Sequence, residues 1–305
     1  MRNKFAETFY EIGCQDKSIC IVVADISPAG SISKFREEFP ERFINTGVSE
    51  QIMIGMAAGM AQRGLKPFAY TIATFALYRP FEFIRDDLCY QNLPVTVVGI
   101  GGGVTYSTLG ATHHAQEDVA IASALPNMNV LTPSDPLEVE AATIWCAENN
   151  KGPSNLRLGK AGEFNFTAGA IENWKFAKVR KISQGHEVAI LVYGPIIKRA
   201  FEVAQELNRN GISTALYTVP TVKPFDETRV KEILKHYKKV VVVEEHSPFG
   251  GVSSLVKSVA FSLKNDVQVL SFTLKDEFIH CFGSHDDILD AHGLSVQNIY
   301  RAIVQ

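Results

Sequence analysis

The stretch from Arg42 to Gly64, RFINTGVSEQIMIGMAAGMAQRG, decides how the rest of the chain is read. Phe43 and Ile44 have the character of a short buried strand, and Gly47 breaks it. Ser49 is placed to cap a helix that runs to about Arg63, where Gly64 stops it. Glu50 therefore falls in the first turn. Beyond Gln51 the helix has no polar side chain until Gln62; it is Ile, Met, Gly and Ala, which predicts burial on every face. Gly55, Ala57, Ala58 and Gly59 leave so little bulk that a second backbone can approach, as at a domain or subunit interface. A carboxylate at the head of such a helix has two readings. One is a residue stabilised by the helix dipole by roughly 0.3–1 kcal/mol and otherwise idle. The other is a carboxyl group kept protonated in a dry site, ready to share a proton with a bound heterocycle.

Outward from this stretch, strand and helix patterns alternate. Before it lie a helix near Asn3 to Ile12, a strand Ile19 to Asp25 and a Ser/Pro/Gly loop. After it come strand Pro67 to Ala73, helix Pro80 to Leu93, strand Val95 to Ile100, helix Glu117 to Leu125 and strand Asn129 to Thr132. Helix Pro136 to Asn149 is well signalled, with Ser134 or Asp135 as cap and Pro136 in the first turn. Periodicity fades between Ala161 and Ser183, and a second alternating unit begins at strand Glu187 to Tyr193 and ends with a helix Val296 to Val304 capped by Ser295. The fold class is α/β: two domains, each a mostly parallel sheet flanked by helices. The first is expected over residues 1–165, a linker over 166–182 and the second domain over 183–305.

Composition bounds the function. A chain of 305 residues has room for two cores, and its 46% hydrophobic and 21% charged residues are those of an ordinary globular protein. A net charge of −3 gives no electrostatic footprint for nucleic acid or an anionic membrane, and the basic run Lys175 to Lys181 reads as a solvated connector. Cys14, Cys20, Cys89, Cys146 and Cys281 are odd in number and scattered, as expected of reduced core thiols in a cytoplasmic protein. No run approaches the length of a membrane span, and the amino terminus has no apolar signal core.

Several positions carry candidate chemistry. Asp25 ends a strand at the carboxyl edge where open α/β sheets bind ligands, although an Asx turn into Ser27-Pro28 accounts for it equally well. Phe75, Tyr78 and Phe81 recur at a three-residue spacing, a helical stripe that is as a rule core. GIGGGVT after strand Val95 to Ile100 is no dinucleotide fingerprint, because Val104 stands at the last glycine position and no helix start follows; the glycines let backbone pass close to a ligand. His113 and His114 are adjacent, point different ways and make a poor metal pair. Glu244, Glu245 and His246 at a strand end qualify as a site on general α/β grounds.

FINTGVSEQIMIGMAAGMA, followed in order by GATHHAQED, LPNMNVLTPSDPLEVEAA and GPSNLRLGK, resembles the pyrimidine-binding domain of the transketolases, and the likeness extends over essentially the whole chain. The resemblance implies that Glu50 contacts the aminopyrimidine of thiamine diphosphate and that Phe75, Tyr78 and Phe81 form the aromatic wall it stacks on. It also implies that Asp25 lies near the cofactor and that His113 lines the substrate channel and handles protons on substrate oxygens. Arg2 matches a family arginine, and the phosphate-binding arginine of the last strand appears as Lys160, with Arg157 close by. Three positions depart from the family: Leu109 replaces an Asp that recognises a substrate hydroxyl, Gly101 a phosphate-contacting His, and Ala29 a Ser serving the phosphate.

The family's diphosphate signature, Gly-Asp-Gly followed by Asn-Asn, is missing, and no carboxylate cluster reads as a magnesium site. The chain thus resembles the carboxyl-terminal portion of a transketolase beginning at its own Met1. The expectation is a split enzyme. An amino-terminal partner would hold the diphosphate and Mg²⁺ in an α2β2 heterotetramer that transfers a two-carbon unit between sugars or sugar phosphates. Alternatives are a relative with another acyl donor, such as a deoxyxylulose-phosphate-synthase-like or 2-oxo acid dehydrogenase component, or a non-catalytic paralogue. The second domain, a dimerisation and scaffold unit in that family, is assigned no chemistry.

Overall fold

A computed structural model describes residues 1–25, 32–160, 162–166 and 174–305; Ala29 and the expected linker's 167–173 lie outside them. The first sheet contains β1 (Ile19–Val23), β2 (Phe43–Asn45), β3 (Lys66–Ile72), β4 (Thr96–Ile100), β5 (Asn129–Leu131) and β6 (Ser154–Leu158). The second contains β7 (Arg180–Ser183), β8 (Val188–Val192) and β9 (Thr214–Thr218). After β10 (Thr221–Lys223), β11 (Lys239–Val243) and β12 (Gln268–Phe272) complete that second sheet. The strand orders are β10-β5-β6-β4-β3-β1-β2 and β12-β11-β8-β9-β7.

Pairing is parallel throughout except at two edges, where β10 runs antiparallel to β5 and β7 antiparallel to β9. Helices between the parallel strands cover both faces. The expected two-domain α/β architecture is what the chain builds. Neither antiparallel edge is foreshadowed in the sequence, because both strands are short and lack periodicity. β10 belongs by sequence to the second unit but completes the first sheet, and β7 claims Arg180 from what was expected to be linker.

In the first sheet the order reverses direction between β1 and β3, since β1 connects outward to β2 and β3 to β4 on the other side. Such a switch opens a crevice at the carboxyl ends of the two strands. One face of the sheet is closed by helix Arg2–Gln15, whose Phe5 and Phe9 pack with Phe35 and Phe68 at ring-centroid distances of 4.7–6.2 Å. On the other face lies helix Glu50–Gln62, contributing Met53, Ile54, Ala57 and Ala58 to a core that also takes in Tyr193, Tyr217 and Val242 of the second domain. The two domains therefore share one continuous apolar core.

Burial of that helix is one-sided. Ile52 and Met56 are exposed, as are Val48 before it and Phe83 across from it, so the expectation of burial on every face fails for this chain alone. Ser49 occupies the N-cap position but its hydroxyl makes no capping bond. The caps at Asp135, whose side chain accepts from Glu138 N, and at Ser295, which accepts from Asn298 N, are as expected. Cys20, Cys89 and Cys146 are buried, and burial raises the Cys89 thiol to about 11, while Cys14 and Cys281 are exposed and so not core thiols. Among the described residues no helix is long and apolar enough to cross a membrane.

Candidate active site

The crevice beside β3 is built from three short pieces of chain. β3 runs straight into helix Ala73–Leu77, and the turn at Tyr78, Arg79 and Pro80 precedes a further helical turn, Phe81–Phe83, and a π-helix, Ile84–Tyr90. The helix expected from Pro80 is thus one α-helical turn followed by a π-helix, and Phe75 and Tyr78 precede it, on and just after a separate short helix. Pro80 explains why helix Ala73–Leu77 does not continue, since its ring removes a donor and biases the residue before it away from helix.

Glu50 is 3% exposed at the start of its helix, and its Oε1 accepts from Arg79 Nη1 at 2.9 Å. The Arg79 guanidinium lies over the Phe75 ring, 4.1 Å from the centroid. The other neighbour of Phe75 is His113, edge-on at 5.1 Å. Thr112 Oγ1 lies 2.9 Å from His113 Nδ1. Burial and then the Arg79 cation push the His113 imidazole below its ordinary value. A dry carboxylate, a flat aromatic face and a predominantly neutral imidazole thus converge. Tyr78 stands behind them, its hydroxyl donating to Glu117 Oε2 at 2.9 Å and its ring packed on the core together with Phe81. Phe81 is wall support rather than an open face.

A second group lies beyond His113. The Tyr106 ring is 6.5 Å from the His113 ring, and Lys160 Nζ is 5.5 Å from its centroid. Arg2 acts on the Tyr106 hydroxyl and partly offsets the rise that burial gives this phenol. Gly101 has φ +82°, and a Cβ there would stand 2.1 Å from the Tyr106 ring. The Tyr106 ring therefore occupies the space that a side chain at position 101 would need. Leu109, exposed, stands just before Gly110, which faces Phe282 of the second domain.

Asp25 occupies the carboxyl end of β1, exposed, with φ 46° and its N–H donating to Asn45 Oδ1 at 3.2 Å. It is at the crevice edge, anchored there through its backbone by Asn45. His114 is 2% exposed beneath the loop, and burial lowers its imidazole.

Arg157 is a correction. It is 3% exposed, its Nε donates to Asp118 Oδ2 at 2.7 Å and its Nη2 to the Glu245 carbonyl at 3.1 Å. Burial opposes its charge, but Asp118, Tyr193 and Glu245 together raise its pKa above the ordinary value. It is a strut between the domains and cannot meet a substrate. Glu245 also accepts from Val104 N at 2.9 Å and pairs with His285 Nε2 at 3.0 Å. Glu244 caps helix Val252–Leu263 through Val252 N and Ser253 N, and His246 Nε2 accepts from Ala120 N at 3.2 Å. The Glu244–His246 triplet is thus a structural clamp. Its presence explains the glycines: a Cβ on Gly102 would lie 2.6 Å from Arg157 Nε, and one on Gly103 2.3 Å from Glu245 Oε2. They let side chains of the clamp approach, not a ligand. Arg180, placed in the solvated run, instead pairs with buried Glu138 at 2.9 Å.

Sequence reasoning missed Arg79 and Tyr106. An arginine wedged between the aromatic Tyr78 and Pro80 gave a faint signal for the first; the glycine run 101–103, which leaves room for a neighbouring ring, gave one for the second.

A carboxylate and an aromatic face meet at the strand switch of a parallel sheet, backed by a second α/β domain. The aromatic face and the carboxylate are at present spanned by a flat, hydrogen-bonding cation, so a flat heterocycle with a ring nitrogen fits the same two contacts. Residues 1–162 match the transketolase pyrimidine binding domain and residues 177–299 the transketolase C-terminal domain, and the chain belongs to the transketolase family, whose enzymes depend on thiamine diphosphate. It is 34% identical to the "Putative transketolase C-terminal section" of Methanocaldococcus jannaschii, over 100% of this chain and 95% of that one. It is 28% identical to a subunit of the apulose-4-phosphate transketolase of Phocaeicola vulgatus, over 100% and 96%. The 1-deoxy-D-xylulose-5-phosphate synthase of Clostridium perfringens is also 28% identical, over 99% of this chain but 48% of its own length. A solved split-gene transketolase, an inactive β4 tetramer, superposes with TM-score 0.89 at 32% identity, covering 99% of this chain and 96% of that one. The chain is therefore a carboxyl-terminal section of a split, transketolase-like enzyme.

Proposed function

We propose that this chain is the carboxyl-terminal subunit of a thiamine-diphosphate-dependent transketolase that moves a two-carbon ketol unit from a ketose to an aldose in the cytoplasm. An amino-terminal subunit would carry the diphosphate and Mg²⁺. The observation that carries the reading is the buried Glu50 carboxylate, joined to the face of Phe75 through the one guanidinium of Arg79. The cofactor, when bound, supplies the nucleophilic carbon and the electron sink. This chain's residues would position and serve it. Glu50 would hold a proton against a pyrimidine ring nitrogen, Phe75 would stack on the ring, and Tyr78, fixed by Glu117, would back that wall. His113, predominantly neutral near pH 7, would exchange protons with substrate oxygens. Arg2 and Lys160, which both act at Tyr106, supply positive charge for a phosphorylated or hydroxylated substrate tail.

The partner would cover the exposed apolar face formed by Val48, Ile52, Met56 and Phe83 beside Glu50. The β4 assembly of the split-gene neighbour, inactive by its description, supports self-association of this chain and a need for the second subunit, giving α2β2. Leu109 favours a second reading, a donor without the usual hydroxyl, for which the deoxyxylulose-phosphate synthase relatives are the parallel. The test is to co-purify the chain with a partner bearing the diphosphate signature and to follow ketose phosphates, and separately 2-oxo acids, with aldose acceptors by mass spectrometry. Two-carbon transfer from a ketose supports the proposal. Carbon dioxide release from a 2-oxo acid alone would select the second reading, and no turnover of either would reject both.

A further inference from the structure

Glu50 presents a charge problem that the chain solves in an unusual place. Its carboxylate is 4% exposed by side chain, and an unpaired carboxylate at that depth is costly. The group that answers it comes from the loop after Tyr78 and not from the core. Arg79 has a side chain 44% exposed, stands in the turn before Pro80 outside any helix or strand, and spans Glu50 and Phe75 at once. A guanidinium is planar, donates in its plane and stacks on aromatic faces. Those are the two contacts, one in-plane hydrogen bond to Glu50 and one face on Phe75, that a flat heterocycle would need, and both occupants cannot have them together.

We propose that Arg79 is a displaceable stand-in for the heterocycle, holding Glu50 and Phe75 in binding geometry in the cofactor-free chain and swinging out when the ring enters. The proposal rests on the reading of Glu50 and Phe75 as the pyrimidine site. Displacement costs little elsewhere, because the Arg79 side chain is already almost half in solvent and fills no core volume. What is lost is one ion pair with an exposed partner, a modest quantity. What is gained is that the buried carboxylate is never left without a partner, before or after loading.

The test compares wild type with Arg79→Met and Arg79→Lys, each co-purified with the diphosphate-binding subunit, using thiamine diphosphate with Mg²⁺ as probe. Stopped-flow and calorimetry should show Arg79→Met binding about three- to tenfold more tightly or faster, with Arg79→Lys between the two because an ammonium keeps charge without the plane. Independently, the His113 ring-proton signal in the chain alone reports where the guanidinium sits, since that cation depresses the imidazole; Arg79→Met should move its titration midpoint up. An unmoved midpoint overturns the proposal, as Arg79 would not occupy the site. Equal binding by all three proteins overturns it too, and weaker binding by Arg79→Met would make Arg79 a holder of the cofactor instead. If the midpoint moves but none of the three proteins binds the probe, the pyrimidine reading itself has failed, and the stand-in falls with it.

Discussion

Two buried carboxylates in this chain are answered by arginines in opposite ways. Asp118 meets Arg157 at 2.7 Å with both side chains sealed, 1% and 2% exposed. Glu50 meets Arg79 at 2.9 Å, but there the arginine is 44% exposed. The first pair is tied further to the Glu245 carbonyl and sits under glycines that have no room for a Cβ. The second is held by one hydrogen bond and one ring face. The sealed pair joins the two domains, and the half-exposed one lies where we propose that the cofactor ring enters. Both carboxylates are buried, 1% and 4% exposed, so it is the exposure of the arginine and not that of the acid that separates the two pairs.

The largest effect expected is on chemistry. Glu50→Gln should lower two-carbon transfer by the loaded complex between about a hundred- and ten-thousandfold, as loss of a proton-handling group does, with an unchanged circular-dichroism spectrum and melting curve. Turnover within tenfold of wild type would remove Glu50 from the mechanism. On the other side of the comparison, Arg157→Met should destabilise the chain by about 3–5 kcal/mol, because it strands Asp118 in the interior. Urea unfolding measures this, and a loss near zero would show the strut to be dispensable.

Smaller effects sharpen the contrast. Gly103→Ala places a methyl against Glu245 at φ +67° and should cost about 1–3 kcal/mol in the same assay, whereas Gly59→Ala, with open space, should not destabilise. The smallest is a pH effect of about 1 kcal/mol or less at the Glu245–His285 pair. Burial lowers the His285 imidazole, but Glu245 more than offsets that, so its folded pKa lies above 6.5. Its contribution is complete below 6.5 and is lost as pH rises through the folded value. Glu245 is depressed below 4.5, burial being outweighed by His285 and the Val104 amide, so its contribution is present above 4.5 and is lost as pH falls through the folded value. The stability gap between wild type and His285→Gln should therefore be widest between pH 4.5 and 6.5 and close at higher pH.

What was legible in the sequence followed its range. Helices and strands with long periodicity, the cap at Asp135, and the local signals around Glu50, Phe75 and His113 could be read because each is written in a few consecutive residues. Arg157 was named as a substrate residue for its closeness to Lys160 in sequence, but it lies within β6 and Lys160 beyond its end, and the Asp118 contact that buries Arg157 comes from a residue 39 positions away. The clamp at Glu244–His246 joins residues more than a hundred positions distant, and no local pattern announces such a pairing. β10, three residues long, crosses into the other domain's sheet for the same reason.

The most direct test of a cofactor site shared between two subunits is calorimetric titration of thiamine diphosphate with Mg²⁺ into this chain alone, the diphosphate-binding partner alone and the two together. Micromolar binding is expected only in the mixture, with the cofactor held between Glu50 and Phe75 on this side and the diphosphate site on the other. Tight, metal-dependent binding to this chain alone would contradict a shared site.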